Sequence, residues 1–325
     1  MPGPIKGIKV LELAQIMAGP TCGLLLADLG AEVIKIEKIP GGDDTRRFVP
    51  PEVHGESAAF MQMNRNKKGM ALDLKKPEGV AVFKRLVKNA DVVIENFRKG
   101  TMEKLGIGYD ELKKINPKII LCEISGYGRT GPYADKGGFD LIAQGMSGLM
   151  SITGESNDRP PTKVGAPITD ITAGILAATG VLAALVAREK TGVGQRVDTS
   201  LYEAGIFHTF WQSAIASATG VSPGPLGSAH PLTAPYQAFQ TKDKWITVGA
   251  SNQSNWLHLL DALGRQDLQA NEKFSSNANR MANLSELQDI LKQELIKKTA
   301  EEWLDIFDEK GLPCGPINSI TEMFE

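Results

Sequence analysis

Short runs of apolar and β-branched residues alternate with stretches of helical spacing through the first half of the chain. The apolar runs predict strands at 8–13, 32–36, 70–74, 91–95 and 119–124. Between the strands, apolar side chains recur at the i, i+3, i+4 spacing of amphipathic helices, at 22–29 and 78–88. This alternation is typical of parallel strands joined by crossover helices. We therefore expect a doubly wound, Rossmann-like α/β domain.

The second half of the chain begins with a longer apolar helix and ends in a different pattern. The pattern predicts, in order, a helix at 171–188, a strand at 195–199, a helix at 201–218, a hairpin at 235–239 and 245–248, and helices at 255–263, 284–298 and 300–310. Gly, Pro and Ser dominate residues 220–227. We therefore predict a large α/β domain at 1–219, a linker at 220–229 and a smaller α+β domain at 230–325.

Composition narrows the function classes. Hydrophobic residues make up 42% of the 325 positions and charged residues 23%, as in ordinary globular proteins, and the net charge of −2 argues against a nucleic-acid-binding role. The three cysteines, Cys22, Cys122 and Cys314, form no C-x-x-C pair, so neither a disulfide framework nor a zinc site is indicated.

The sequence pattern predicts neither a signal peptide nor a membrane-spanning helix. Residues 1–4 lead directly into that strand without the apolar segment of a signal peptide. The uncharged apolar stretch at 171–187 is shorter than the ~20 residues that cross a bilayer. We expect a cytoplasmic protein without a membrane partner.

One G-x-G-x-x-G match, at 126–131, follows the fifth predicted strand. Such a motif binds a dinucleotide when a helix starts at its end and when it follows the first strand of the fold. Pro132, Tyr133 and the glycines at 137–138 instead predict an extended loop. A glycine-rich turn is the favoured interpretation, with a nicotinamide-dependent oxidoreductase as the alternative.

Basic residues gather near several predicted strand ends. These are Lys38, Arg46, Arg47, Lys67, Lys68, Lys75, Lys76, Arg98, Lys99 and Lys104. In an open α/β sheet, ligands bind beyond the carboxyl ends of the strands, so repeated cations there suit a ligand with several phosphates. Each group taken alone is equally typical of solvated surface charge.

Asp170 lies between an extended segment and the apolar helix that follows. An aspartate at such a position is commonly a helix N-cap. The alternative is a carboxylate nucleophile held at a helix N-terminus among small residues. Other catalytic patterns are weak, because the four histidines are isolated and neither G-x-S-x-G nor H-E-x-x-H occurs.

Taken together, these stretches resemble the class III coenzyme A transferases of the CaiB/BaiF type, which include formyl-CoA transferases. The resemblance runs from residue 5 to about 324. It is carried by VLELAQIMAGP (10–20), LGAEVIKIEKIPGGDDTR (29–46), NRNKK (64–68), ENF (95–97), LGIGYDEL (105–112), SGYGRTGPYADKGGFDLIAQGMSGLM (125–150), TDITAG (169–174), REKTGVGQRVD (188–198) and GLPCGPI (311–317). Residues 230–243 look most like the succinate–hydroxymethylglutarate CoA-transferases.

The resemblance implies an enzyme that moves coenzyme A from an acyl-CoA to a carboxylic acid, which could be a dicarboxylic acid. Asp170 would be the nucleophile, forming first a mixed anhydride and then an aspartyl-CoA thioester. Coenzyme A and acyl-CoA would be substrates, with no metal and no permanently bound cofactor. The resemblance further implies an interlocked homodimer.

Carried over position by position, the coenzyme A contacts fall in six parts of the chain. They are Gln15, Ile16, Met17, Ala18, Lys38, Leu72, Asp73, Leu74, Lys75, Asn96, Phe97, Arg98, Lys104, Lys136, Gly137, Gly138 and Phe139. Lys38 and Lys104 would meet phosphates, and Lys104 stands where related enzymes often have Arg.

Two further alternatives remain. The same fold carries 2-methylacyl-CoA racemases, in which a histidine precedes the aspartate that matches Asp140; here that residue is Phe139, which transfers no proton. A non-catalytic acyl-CoA-binding protein would keep the basic contacts and use Asp170 only as a cap. Relatives usually continue for several tens of residues beyond the GLPCGPI segment, so we also expect their returning C-terminal segment to be missing here.

Overall fold

A computed structural model describes residues 3–325, which group into two compact units. The first unit extends to Ser151 and resumes over Pro161–Phe210, and the second comprises Ile152–Pro160 and Trp211–Glu325. The predicted linker at 220–229 contains no helix or strand. The domain limits at 219 and 230 stay a prediction, because compact packing is not the same as independent folding.

A parallel sheet forms the centre of the first unit. Its strands are β1 (Lys9–Glu12), β2 (Glu32–Glu37), β5 (Lys67–Ala71), β6 (Val92–Glu95), β7 (Ile120–Ser125) and β8 (Arg196–Ser200), and a two-stranded ribbon is formed by β3 (Glu52–Val53) and β4 (Glu56–Ser57). The sheet order is β5-β2-β1-β6-β7-β8, and every neighbouring pair is parallel. The predicted doubly wound α/β class is confirmed.

Helices connect these strands and cover the sheet. They are α1 (Ala18–Asp28), α2 (Ala58–Met63), α3 (Pro77–Val87), α4 (Thr101–Lys104), α5 (Tyr109–Ile115), α6 (Asp140–Met146), α7 (Ile168–Thr191) and α8 (Leu201–Phe207). Helix α1 begins four residues before the predicted start at Cys22, with Pro20 in its first turn. Proline fits there because the first turn needs no backbone N–H donor.

The third strand of the sheet differs most from the prediction. We predicted 70–74, whereas β5 covers Lys67–Ala71 at one edge of the sheet. Most of its side chains are exposed or partly exposed, so the strand carries lysines in place of an apolar run. Charged edge strands of this kind discourage pairing with other chains. As a result, residues 72–75 follow the strand and form the loop at its carboxyl end.

Helix α7 is the longest helix and packs in the core of the first unit. Its length and hydropathy would also suit a membrane span, but a face of alanines and glycines is buried against α1 and the sheet. A Cβ at Gly174 would lie 2.7 Å from the carbonyl oxygen of Ala18, so glycine allows the two helices to approach closely. This packing fixes the N-terminus of α7 beside the carboxyl end of β1.

The predicted helix at 201–218 is two helices. Helix α8 ends at Phe207, and α9 (Phe210–Thr219) begins at the last residue of the first unit. The hydroxyl and the backbone N–H of Thr209 both donate to the carbonyl oxygen of Ile206. A side chain that bonds to its own turn competes with the helical ladder, which accounts for the break.

The second unit is built on an antiparallel sheet covered by helices. Its strands are β9 (Tyr236–Gln240), β10 (Trp245–Gly249) and β11 (Cys314–Pro316), in the order β11-β10-β9, and its remaining helices are α10 (Gln253–Leu263), α11 (Asp267–Ala270), α12 (Asn277–Ala282), α13 (Leu284–Leu295) and α14 (Ala300–Glu309). Phe239, Trp256 and Phe307 are fully buried in its core. The predicted hairpin and the three predicted helices are present.

Candidate active site

Asp170 lies in the first turn of α7, and it is not the N-cap. The helix begins at Ile168, and the cap residue Pro167 has no side-chain hydrogen bond to offer. The missing cap comes from α6, since Asp140 accepts the backbone N–H of Thr169 at 2.9 Å and its hydroxyl at 2.8 Å. The carboxylate of Asp170 is therefore not used to close its own helix.

The surroundings of Asp170 favour its neutral form. Burial, followed by the negative charge of Asp140, raises its pKa from 3.8 to about 7. Within residues 3–325, no hydrogen-bond donor is present at this carboxylate to oppose that effect. A poorly solvated carboxylate without hydrogen bonds is a stronger nucleophile than one in water, although ionising it is more costly.

A cavity of about 270 Å³ opens beside Asp170 at the carboxyl ends of β1, β6 and β7. Three of the segments predicted to bind coenzyme A line it together with the aspartate. They are Gln15, Ile16, Met17 and Ala18 from the loop after β1, Asn96, Phe97 and Arg98 from the loop after β6, and Lys136, Gly137, Gly138 and Phe139 before α6. The fold thus brings the predicted nucleophile and three distant predicted segments to one site.

The loop after β1 is held in an unusual backbone conformation. Ile16 has φ of 68°, in the left-handed region that a β-branched residue rarely adopts. Its N–H is directed at the carboxylate of Asp43, 3.2 and 3.3 Å from the two oxygens. The side chain of Asn96 donates to the carbonyl oxygen of Gln15 at 2.8 Å and accepts its N–H at 3.0 Å. Side chains from two other loops thereby fix the shape of this one.

A buried network of charges stands behind that loop. Lys35 contacts Glu12 at 2.9 Å and Asp43 at 2.8 Å, and it also donates to the carbonyl oxygen of Ala14 at 2.8 Å. Lys67 reaches the second carboxylate oxygen of Glu12 at 2.8 Å. Two cations and two anions balance, which is the condition under which buried charges are tolerated. Asp43 therefore acts on the loop from a fixed position.

A second cavity, of about 340 Å³, shares Gln15 and Phe97 with the first. Its lining includes Lys38 and all four residues of the 72–75 segment. The amine of Lys38 pairs with Asp44 at 2.6 Å and is half exposed. Lys104 lies at the end of α4 and lines neither cavity. Every other predicted coenzyme A residue lines at least one of them.

The glycine-rich motif forms an irregular loop without a helix at its end. Residues 126–139 contain turns and extended backbone, and the next helix starts at Asp140. Gly126 and Gly138 touch, since a Cβ on Gly126 would lie 2.7 Å from the Cα of Gly138. The structural requirement for a dinucleotide site is therefore not met, in agreement with the favoured interpretation of this motif as a turn.

Asp43 was not among the predicted site residues, and Asp140 was assigned no role beside Asp170. Both act on backbone groups of loops that are distant in the sequence, so no local pattern marks them. The only available signals were the paired aspartates of the GGDDTR segment and the position of Asp140 at the start of a helix.

The chain is similar to known proteins over nearly its whole length. The pattern of CoA-transferase family III matches residues 5–325. The succinate–glutarate CoA-transferase of Agrobacterium fabrum is 42% identical over 327 residues, covering 99% of this chain and 82% of that protein. The acetyl-CoA:oxalate CoA-transferase of Acetobacter aceti is 40% identical over 323 residues, covering 98% and 82%.

The fold is also similar to that of a solved structure. The crystal structure of a CaiB/BaiF family protein from Brucella suis superposes with a TM-score of 0.88 at 40% identity, covering all of this chain and 86% of that one. The predicted family and the predicted enzyme class are both confirmed. The chain belongs to CoA-transferase family III.

Proposed function

We propose that this protein transfers coenzyme A from an acyl-CoA to a carboxylic acid, with Asp170 as the nucleophile. One observation carries the proposal: the partly buried carboxylate of Asp170 shares a cavity with three of the predicted coenzyme A segments. A second cavity next to it is lined by Lys38 and the 72–75 segment. The two cavities together suit a long ligand whose thioester end reaches the aspartate and whose phosphates meet lysines.

The chemistry needs only acyl exchange. A carboxylate oxygen of Asp170 attacks the thioester carbonyl of the donor; the C–S bond breaks, and coenzyme A thiolate leaves behind a mixed anhydride. The thiolate then attacks the aspartyl carbonyl carbon, releasing the donor acid and forming an aspartyl-CoA thioester. The acceptor carboxylate repeats these two steps in reverse. Because the aspartyl-CoA thioester is similar in energy to the donor and product thioesters, covalent catalysis divides the transfer into two smaller exchanges.

The protein's contribution is positioning and charge. Lys38 would contact a phosphate, and the 72–75 and 96–98 segments would line the adenine and pantetheine portions. Lys104 would reach a phosphate only from outside the two cavities, so its part is the weakest of those proposed. The raised pKa of Asp170, caused first by burial and then by Asp140, favours uncharged acylated forms of this side chain over the free carboxylate.

Dicarboxylic acids are the proposed substrate class. Both relatives described above are named for succinate, glutarate or oxalate. The cavity beside Asp170 is also lined by Arg98 and Lys136, whose charges suit a second carboxylate as well as a phosphate. A homodimer belongs to this proposal as a consequence of the family resemblance, and a cytoplasmic location belongs to it as the expectation drawn from the sequence pattern.

The proposal is tested by trapping the acylated aspartate. The protein is incubated with succinyl-CoA, with and without glutarate, and then treated with hydroxylamine, and peptides are analysed by mass spectrometry. We expect a hydroxamate at Asp170 together with glutaryl-CoA formation, and we expect neither in Asp170→Asn. The control is Asp305→Asn, an exposed aspartate in α14, which should behave as the wild type.

Other outcomes would point to the alternatives. Exchange of the α-hydrogen of a 2-methylacyl-CoA with deuterium, without transfer, would indicate a racemase. Binding of acyl-CoA with an unmodified Asp170 and no transfer to any of a panel of mono- and dicarboxylic acids would indicate a binding protein. Either result would refute the transferase proposal.

A further inference from the structure

The glycine-rich motif has no role in the proposed chemistry, yet it places a buried arginine beside the loop after β6. We propose that Arg129 is a positioning residue for coenzyme A binding, because it holds the Asn96–Arg98 loop in place. The proposal rests on the proposed function, in which this loop contacts coenzyme A. It assigns a task to the motif at 126–131, which the transfer reaction itself leaves unused.

Arg129 and Glu95 hold the backbone of Phe97 from both sides. One terminal nitrogen of Arg129 donates to the carbonyl oxygen of Phe97 at 3.0 Å, and the other contacts a carboxylate oxygen of Glu95. The second oxygen of Glu95 accepts the N–H of Phe97 at 2.6 Å. The N–H and C=O of one loop residue are thus bonded to the two members of a single ion pair.

This ion pair is almost completely removed from water. The side chain of Arg129 is 9% exposed and that of Glu95 is 1% exposed. The Nε of Arg129 faces Glu123 at 3.3 Å, and Glu123 is also paired with Arg196. Because charges in such an environment strongly disfavour any arrangement that leaves one of them unpaired, the loop has little freedom to shift.

The glycines of the motif allow the arginine to reach this position. Gly128 and Gly131 have φ of 85° and 82°, which glycine adopts without strain. The N–H of Gly128 donates to the hydroxyl of Ser125 at 2.9 Å, and the N–H of Arg129 lies 3.3 Å from Asp198. The turn is thereby anchored to the end of β7 and to the middle of β8, and Arg129 projects from a fixed position.

The effect of Arg129 extends to the loop after β1. Asn96 immediately precedes Phe97, and its side chain is bonded to both the N–H and the C=O of Gln15. A shift of Phe97 would therefore disturb two of the segments that line the cavity beside Asp170. Since Arg129 itself does not line that cavity, its influence on the ligand passes through the backbone.

Lysine cannot replace this contact. A guanidinium donates in a fixed fork to several acceptors at once, whereas an ammonium group on a flexible stem is a single point charge. Arg129→Lys keeps the charge but loses the simultaneous contacts to Glu95 and the Phe97 carbonyl. From the usual size of a charge-assisted hydrogen bond, we expect the KM for acyl-CoA to rise about tenfold, with a much smaller change in kcat.

The experiment compares Arg129→Lys with Arg85→Lys, an exposed arginine in α3. Kinetics are measured at pH 8, where Glu95 is ionised, since burial raises its pKa to about 7. Hydrogen exchange of the peptide covering 95–99 is followed by mass spectrometry in the same proteins. The expected result is a higher KM and faster exchange in this segment for Arg129→Lys alone. If this variant does not fold, Glu95→Gln, which keeps an acceptor for the Phe97 N–H, takes its place with the same expected direction.

A folded variant with the wild-type KM would overturn the positioning role and leave the proposed function intact. An Arg129→Lys protein with a lower kcat, a lower free energy of unfolding and faster hydrogen exchange throughout the first unit would also overturn it. Such a result would indicate a residue that is only structural. A wild type that transfers no coenzyme A would instead refute the proposed function. In that case the dissociation constant for coenzyme A, measured by calorimetry in wild type and variants, decides the positioning role separately.

Discussion

Replacing Asp170 by asparagine should make the protein more stable at alkaline pH while removing its transferase activity. The physical reason is that the ionised carboxylate is poorly accommodated where it lies. Burial, and then Asp140, raise its pKa from 3.8 to about 7. Active sites commonly hold groups that the fold alone would not favour, and removing them stabilises the protein.

The magnitude follows from the linkage between protonation and folding. The difference between a pKa of 3.8 and one of about 7 corresponds to about 4 kcal/mol, at about 1.4 kcal/mol for each tenfold change in proton affinity. Because the side chain of Asp170 is partly exposed, solvent screening reduces this figure, and we expect about 1–3 kcal/mol. The folded state binds the proton more tightly than the unfolded state. The contribution of the protonated Asp170 side chain to the stability of the wild type is therefore complete below pH 3.8 and is lost as the pH rises through about 7.

The assay is urea unfolding of wild type and Asp170→Asn at pH 5 and pH 8, followed by tryptophan fluorescence. The free energy of unfolding of the variant relative to the wild type should be greater at pH 8 than at pH 5 by about 1–2 kcal/mol, because part of the effect is already lost between pH 3.8 and pH 5. The exposed control Asp305→Asn should differ from wild type by less than about 0.5 kcal/mol at both. A difference for Asp170→Asn that is the same at both pH values, or larger at pH 5, would refute the reasoning.

Three further predictions concern the pH profile, the glycine-rich turn and the buried charges. As the nucleophile must be ionised, kcat/KM for acyl-CoA should fall about tenfold per pH unit below about 7, and a flat profile from pH 5 to 8 would contradict a nucleophile with the raised pKa of Asp170. Gly126→Ala should raise the KM for acyl-CoA in steady-state kinetics, because the added Cβ would lie 2.7 Å from the Cα of Gly138. The control is Gly69→Ala, whose Cβ would have its nearest neighbour at 3.7 Å and which should leave KM unchanged. Lys35→Met should destabilise the protein by about 3–5 kcal/mol in chemical unfolding, because it removes the ion-pair partner of the buried Asp43 and leaves Glu12 paired with Lys67 alone. Lys68→Met, at an exposed pair, should cost less than about 1 kcal/mol, and similar losses for both would contradict a buried network.

Several strands could be predicted from the local sequence because buried strands are rich in apolar residues. Strands β1, β2, β6 and β7 are buried at most positions on both faces, so Val, Ile and Leu recur along each of them, and all four were predicted within one or two residues. Strand β5 was misplaced by three residues, because an exposed edge strand has no apolar run to mark it. The break between α8 and α9 was missed because it depends on two hydrogen bonds from Thr209.

The same distinction applies to the candidate site. The ordered motifs identified the family, and through it Asp170 and the coenzyme A segments as predictions. They did not show that Asp140 caps α7, that Asp43 lies against the N–H of Ile16, or that Arg129 bonds to Phe97. Each of these contacts joins residues separated by 27–32 positions.

The amino-acid sequence by itself determined the class of fold, the family and the identity of the candidate nucleophile, because apolar periodicity and ordered motifs are properties of neighbouring residues. Only the tertiary structure decided which side chains surround this candidate nucleophile and which of them hold the loops of the candidate site in place. A parallel sheet brings the carboxyl ends of strands together that are far apart in the chain, and burial there changes the pKa of Asp170 and the strength of every ion pair.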